Sequence, residues 1–414
     1  MRYLIRRTSG FILLSVALLY AQDSTKIQHL EARIKALEEK AEEKELEKLI
    51  KEAENLSREK EEAKEKKIFT GGQRSLQALN PELSIASDAY GQYIMNEQGF
   101  TEDSRSGAFF RVAELQFQSD LDPFSFTKII LEFSPEGIEF AEAYITWSRL
   151  LEDVSLTAGK FRQQFGIVNR WHAHALDQFD WPLALTMILG EEGLNQIGLS
   201  FEWLMPSFMA DANNLFIQLT NGENEHLFAG EMFSFPSSLA RFTSYYDLSL
   251  DTYLELGLTG MAGKNNRRGY DEDGELILET NRFTYLAGLD LTLLWEPTNQ
   301  SRYRSFLWRN EVYYVYKNLT DEDIKAIGGY SYGEYQFDRR WSSGLRIDLT
   351  QPYEAENKNK YYYQIVPYIT WWQSPWVKFR LQYNYLNGNH VDVEDHTLRL
   401  QLVWAVGPHK HDRY

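Results

Sequence analysis

No cysteine occurs among the 414 residues, and proline is sparse at 11. Without cysteine there is no disulfide framework and no thiolate for a zinc or redox centre, so burial and hydrogen bonding must carry the fold. Long apolar runs are also missing. Only residues 11–20 (FILLSVALLY) form one, and it is shorter than the roughly 20 residues a membrane helix needs. Basic side chains are the minority, 43 Lys and Arg against 60 Asp and Glu, and no basic stripe accompanies the aromatics. That excludes a nucleic-acid footprint. The chain lacks a P-loop, a Gly-x-Ser-x-Gly elbow and a His-Glu-x-x-His helix. Scattered Ser, His and Asp single out no catalytic trio, so the expectation is a protein that is not an enzyme and uses no cofactor.

What is present falls into three parts. Residues 1–21 read as a signal peptide: Arg2, Arg6 and Arg7, then the short apolar run, then Ala21 before the cut. Residues 22–70 are almost entirely Glu, Lys, Leu, Ile and Ala up to Lys67. Ile27, Leu30, Ile34, Leu37 and Ala41 keep coiled-coil spacing, and Leu46, Leu49, Ala53 and Leu56 restart it. This predicts a helical coiled coil about 60 Å long, ended by Gly71 and Gly72.

Residues 71–414 alternate apolar and polar side chains in short runs, as in Leu398-Arg399-Leu400-Gln401-Leu402-Val403-Trp404. Alternation places one residue class on each face of a strand. About sixteen such runs behind a secretory leader, with 25 Tyr and 11 Trp for interfacial girdles, predict an all-β transmembrane barrel of antiparallel strands. The runs from Ser125 and Ala326 carry the weakest pattern. Gaps between runs alternate short (250–251, 338–340, 373–376) and long (96–108, 221–238, 264–281, 386–396), which predicts periplasmic turns and extracellular loops respectively. Residues 162–193 form the longest gap and contain Trp171, Phe179 and Trp181. Such apolar surface is a liability in water. It predicts a constriction tucked against the wall, or else a contact between subunits.

The segment Gly159-Lys160-Phe161-Arg162-Gln163-Gln164-Phe165-Gly166 and the C-terminal Val406-Gly407-Pro408-His409 resemble the phosphate-selective porin O and P family, in particular its relatives with an N-terminal coiled coil. The resemblance implies a sixteen-stranded homotrimeric diffusion channel whose third extracellular loop folds inward. The pore lining departs from that family, where arginine and lysine dominate. Pore-lining candidates here mix signs: Arg162, Arg241, Asp290, Arg309, Glu311, Arg346 and Asp348, with a basic group of Lys378, Arg380 and Arg399 on the last two strands. Along single runs the expected inward faces carry Arg241 with Asp247, Arg309 with Glu311, Arg346 with Asp348, and Asp290 with Glu296. Phosphate selectivity does not follow from such a lining. Acidic groups at 271–275, 321–323 and 392–395 are read as solvated extracellular tips. His172 with His174, and His409 with His411, each share a face in extended chain, but two imidazoles fall short of a defined zinc site, so no metal is assigned.

The function these features predict is an outer-membrane porin for small hydrophilic solutes or ions, surrounded by outer-membrane lipid. Its coiled coil would reach a periplasmic or cell-wall partner. The competing expectation is a structural tether or adhesin in which the coiled coil links membrane to wall.

Overall fold

The computed structural model describes residues 81–96, 104–228, 235–270, 275–390 and 394–407. The signal peptide, the coiled coil, the acidic group at 271–274 and His409 with His411 lie outside the described residues.

Sixteen strands follow one another: β1 (Glu82–Asn96), β2 (Gly107–Asp122), β3 (Ser125–Ser134), β4 (Gly137–Leu151), β5 (Val154–Arg162), β6 (Asn195–Met205), β7 (Ala212–Thr220) and β8 (Ser237–Ser249). Then come β9 (Thr252–Tyr270), β10 (Leu276–Trp295), β11 (Ser305–Lys317), β12 (Ile324–Asp338), β13 (Trp341–Thr350), β14 (Tyr362–Ser374), β15 (Val377–Gly388) and β16 (Glu394–Val406). Each strand pairs antiparallel with its sequence neighbours, and β1 closes on β16, with Gly91 opposite Leu400 and Gln92 opposite Arg399. A closed sheet has no free edge and satisfies its ladder internally, which is what a membrane demands of a spanning fold. The weakly patterned runs from Ser125 and Ala326 are strands like the rest.

The wall is inside-out relative to a soluble protein. Along β13, Arg346, Asp348 and Thr350 are buried, while Leu345, Ile347 and Leu349 between them are exposed. Along β11, Arg309, Glu311 and Lys317 are buried, while Trp308, Val312 and Tyr314 are exposed. Exposed aromatics gather near the strand ends. Trp203, Trp308, Trp341 and Trp376 lie towards one rim, and Tyr93, Phe110 and Phe283 towards the other. This is the disposition of interfacial girdles.

Loop lengths alternate, with one short exception. Turns of two residues join β2 to β3, β4 to β5, β8 to β9, β12 to β13 and β14 to β15 on one rim, but β3 and β4 meet through a two-residue turn on the other. The predicted gap at 264–281 shrinks because β9 and β10 keep pairing beyond the wall, as far as Tyr270 opposite Leu276. The acidic group at 392–395 is likewise not all loop: Glu394 and Asp395 belong to β16, and Asp395 is buried.

Residues 163–194, between β5 and β6, form the longest connection. They hold two single 3-10 turns (Val168–Arg170 and Ala173–Ala175) and one short helix, α1 (Leu183–Leu189). Phe165, Ile167, Trp171, Leu176, Leu185 and Ile188 are buried in one apolar cluster with wall residues of β8–β12, among them Leu239, Met261, Val315 and Tyr330.

Candidate functional site

The 163–194 segment is held at its base by its own side chains. Asn169 donates from Nδ2 to the carbonyls of Gln163 (2.9 Å) and Leu194 (3.1 Å), and its Oδ1 accepts from the Leu194 amide (2.8 Å). The two ends also bond directly, Gln163 N to Leu194 O at 2.9 Å. Gly193 has φ +64°, and a Cβ there would stand 2.5 Å from Asn169 Oδ1, so this turn needs glycine.

Past the base, the main chain of the segment meets charges of complementary sign. The amides of Ile167 and Val168 each donate at 3.0 Å to the Glu311 carboxylate on β11. The same carboxylate accepts from Tyr313 Oη at 2.8 Å and from Tyr330 Oη. Gly166 makes this approach feasible. Its φ is +62°, and a Cβ would fall 1.9 Å from Glu311 Oε2.

Further along, the carbonyls meet cations. Lys378 donates to His174 O (3.2 Å), Arg380 to Leu176 O (3.0 Å), Arg111 to Phe179 O (2.6 Å) and Arg346 to Asp180 O (2.8 Å). Backbone dipoles with no partner in their own secondary structure are thus capped by side chains, as a buried irregular segment requires.

Side-chain pairs add to this. Asp177 takes Arg309 at 3.1 Å and Tyr332 Oη. Asp180 accepts from Gln382 (2.7 Å) and Asn384 (2.6 Å), with Arg346 and Arg399 close by. Burial works against the Asp180 charge, but the Arg346 and Arg399 guanidinium groups hold its carboxyl below the usual carboxylate range. The three aromatics named from the sequence each stack with a guanidinium. Arg309 lies 4.4 Å over Trp171, Arg162 lies 5.4 Å over Trp181, and Phe179 has Arg111 at 4.5 Å and Arg399 at 5.0 Å.

All ten charged candidates are thereby located. Arg309, Glu311, Arg346, Asp348, Lys378 and Arg380 are buried on the wall, and each reaches the 163–194 segment, Asp348 at the Leu183 amide. Arg346 does keep Asp348 at 2.9 Å. Arg309 and Glu311 share the buried face of β11, and each binds the segment separately. Arg162, at the end of β5, donates to Glu192 O at 3.3 Å.

Two of the expected inward-facing charges, Asp247 and Glu296, are exposed at strand ends. Arg241, on the same run as Asp247, makes a two-pronged bridge to Asp290 at 2.6 and 2.9 Å. That bridge spans β9, where Gly257 leaves room: a Cβ would sit 2.3 Å from the Asp290 carboxylate. Asp290 therefore does not face Glu296, which lies past the end of β10 and is exposed.

Sequence reasoning passed over a further cluster. Glu114 (β2), Glu132 (β3), Glu142 (β4) and Lys128 (β3) surround His172 and His174. The signal was available: all four are charged residues in runs whose apolar alternates face outward.

A second connection braces the segment. His226, between β7 and β8, stacks on Tyr353 with ring centroids 3.9 Å apart, and its Nε2 lies 3.1 Å from Met187 O. Burial, with the nearby Lys317 ammonium, lowers its pKa to about 4, so the ring is neutral and donates from Nε2.

No family model matches the chain. An uncharacterised protein of Aquifex aeolicus (strain VF5) is 28% identical over 282 residues, 63% of this chain and 58% of that protein. The chain thus matches less than two thirds of that relative's length. Among solved structures, the trimer form of OmpT, an outer-membrane protein of Vibrio cholerae, superimposes with TM-score 0.54 at 10% identity, covering 80% of this chain and 100% of that one. An anion-selective porin from Comamonas acidovorans gives TM-score 0.54 at 12% identity, over 79% and 100%. The chain has the porin fold. Salmonella typhi OmpF, solved with daunomycin, gives 0.51 at 12% identity, over 79% and 98%. Identities this low establish a shared barrel and leave pore chemistry to be read from this chain's own side chains.

Proposed function

We propose that the protein is an outer-membrane porin that lets small hydrophilic solutes or ions diffuse through its barrel. The observation that carries this is the inversion of polarity across a closed wall, with Leu, Ile, Val and aromatic side chains outside and ionised ones inside. Only a barrel with lipid around it and water or polar protein within it gains from that arrangement.

The proposal includes an inward course for 163–194. Its support is that one segment bonds to side chains on β2–β4, β11–β13 and β15–β16, sectors spread round the ring. In this reading the segment narrows the lumen and sets the size limit, while the remaining wall charges shape the field. Because most buried charges are paired, selectivity between anions and cations is expected to be weak. The wider assembly is part of the same proposal: a cleaved leader at 1–21, a periplasmic coiled coil at 22–70 reaching a cell-wall or periplasmic partner, and a homotrimer of barrels at 71–414. OmpT's trimer form shows that a barrel of this fold can assemble so.

Planar-bilayer recording is the direct test. Folded protein should insert in discrete conductance steps, with a small reversal potential under a salt gradient. Repeated insertion of folded protein without conductance would sink the porin reading.

A further inference from the structure

Glu114 on β2 stands directly opposite Glu132 on β3, and Glu142 follows on β4. Like charges in direct cross-strand register repel, and these are taken out of bulk water. Glu114 is 2% exposed and Glu142 6%. Something cationic must offset them. Lys128 lies 3.4 Å from Glu142 and the Arg162 guanidinium acts on Glu132, which leaves the deeply buried Glu114.

His172 caps the turn at Ala173–Ala175 and His174 is its middle residue, and both rings reach Glu114. His172 Nδ1 is 3.0 Å from Glu114 Oε2 and 3.0 Å from Glu132 Oε1, and His174 Nδ1 is 3.3 Å from the same Glu114 Oε2. An imidazole nitrogen carries at most one proton, and that of His172 Nδ1 is directed to Glu132. Glu114 Oε2 accepts no hydrogen bond although it is buried, a costly state for a carboxylate oxygen. One imidazole nitrogen and two carboxylate oxygens, from His172, Glu114 and Glu132, instead lie mutually within 4.8 Å, close enough to share one ion. Ligands 2.0–2.2 Å from a zinc-class ion stand about 3.3–3.5 Å from one another.

We propose that Glu114, Glu132 and His172 bind one divalent transition-metal cation, with solvent completing its shell, tying the 163–194 segment to the β2–β3 wall. The two carboxylates match the charge of the ion, and the mixed imidazole and carboxylate set favours zinc-class ions over magnesium or calcium, which prefer all-oxygen shells. Glu142, 3.5 Å from His172 Nε2, takes the outer position of a carboxylate that orients a ligating histidine. The site is independent of whether the barrel conducts.

The test uses the full chain, folded in detergent, stripped with a chelator and titrated with Co2+ and then Zn2+. Heat-modifiable gel migration reports whether each sample is folded. The expected result is one equivalent bound per chain, with the visible absorption of tetrahedral Co2+ lost on adding Zn2+. Glu114→Gln and His172→Asn should each weaken binding by more than the roughly 10- to 100-fold typical of an outer-shell loss. A His409→Asn/His411→Asn double variant should bind like wild type. Absence of stoichiometric binding by the wild type, with the carboxylates balanced by a protonated His172 alone, overturns the proposal. So does binding that survives in folded Glu114→Gln and His172→Asn, or that disappears only in the tail variant. If either ligand variant fails to fold, the wild-type spectrum together with the tail variant still decides.

Discussion

On β13–β16 and the adjoining face of β2 the 163–194 segment meets cations, whereas on β2–β4 it meets carboxylates. The cations bind mainly to its peptide carbonyls, groups every residue supplies. The carboxylates bind to His172 and His174, side chains that only those positions supply. One sector therefore dictates the path of the chain and tolerates many sequences along it. The other depends on residue identity. Glu311 belongs with the first kind, since two of its four partners are amides.

The largest effect should come from breaking the backbone-held side at Glu311. Glu311→Ala strands two buried amides and two tyrosine hydroxyls, at about 1–3 kcal/mol for each group left unpaired. A markedly lower unfolding temperature is expected, together with protease cleavage within 163–194 of the still-folded barrel. Arg241→Ala is the contrasting case, because the Arg241–Asp290 bridge joins wall to wall. It should destabilise the barrel without exposing the segment; cleavage as fast as in Glu311→Ala would remove the distinction.

Gly166→Ala should have an intermediate effect. The αL backbone costs about 1–2 kcal/mol for a residue with a Cβ, and that Cβ would collide with Glu311. Protease sensitivity and conductance should shift in the same direction as in Glu311→Ala but less far. A variant indistinguishable from wild type would mean that the turn can move aside.

The smallest effect is one of pH on the His226 brace. Its folded pKa, about 4, lies below the ordinary 6.5, so the neutral ring is the form that packs. Its contribution is complete above about pH 6.5 and is lost as pH falls through about 4. Hydrogen exchange in α1 should accelerate over that window, and His226→Asn should flatten the response. Unchanged exchange from pH 7 to pH 4 would rule out this role.

The sixteen strands and the unusual connection were legible in the sequence because alternation with period two and turn spacing are local signals. The ten charged candidates could be picked out because each sits at an even offset from other polar residues within its run. What was not legible is which partner lies across the barrel or one strand further on. Arg241 shares a run with Asp247, whereas its partner Asp290 reaches it over Gly257. Glu311 stands two residues from Arg309, but its partners at Ile167 and Val168 are more than a hundred residues distant in the chain. Glu114, Glu132 and Glu142 were passed over because nothing within any one strand marks them as neighbours. Only the register of β2, β3 and β4 brings them together.

The contacts of Ile167 and Val168 with Glu311 also impose an order in time. During synthesis β5 and the segment after it emerge long before β11, and β1 gains its second neighbour only when β16 exists. Until then the segment lacks Glu311 and the cations of β11–β16, and two sheet edges remain open to other chains. Contacts of such long sequence separation close slowly. The chain therefore carries its most apolar connection unsheltered through most of its own assembly, so seating that segment and sealing the ring are late steps.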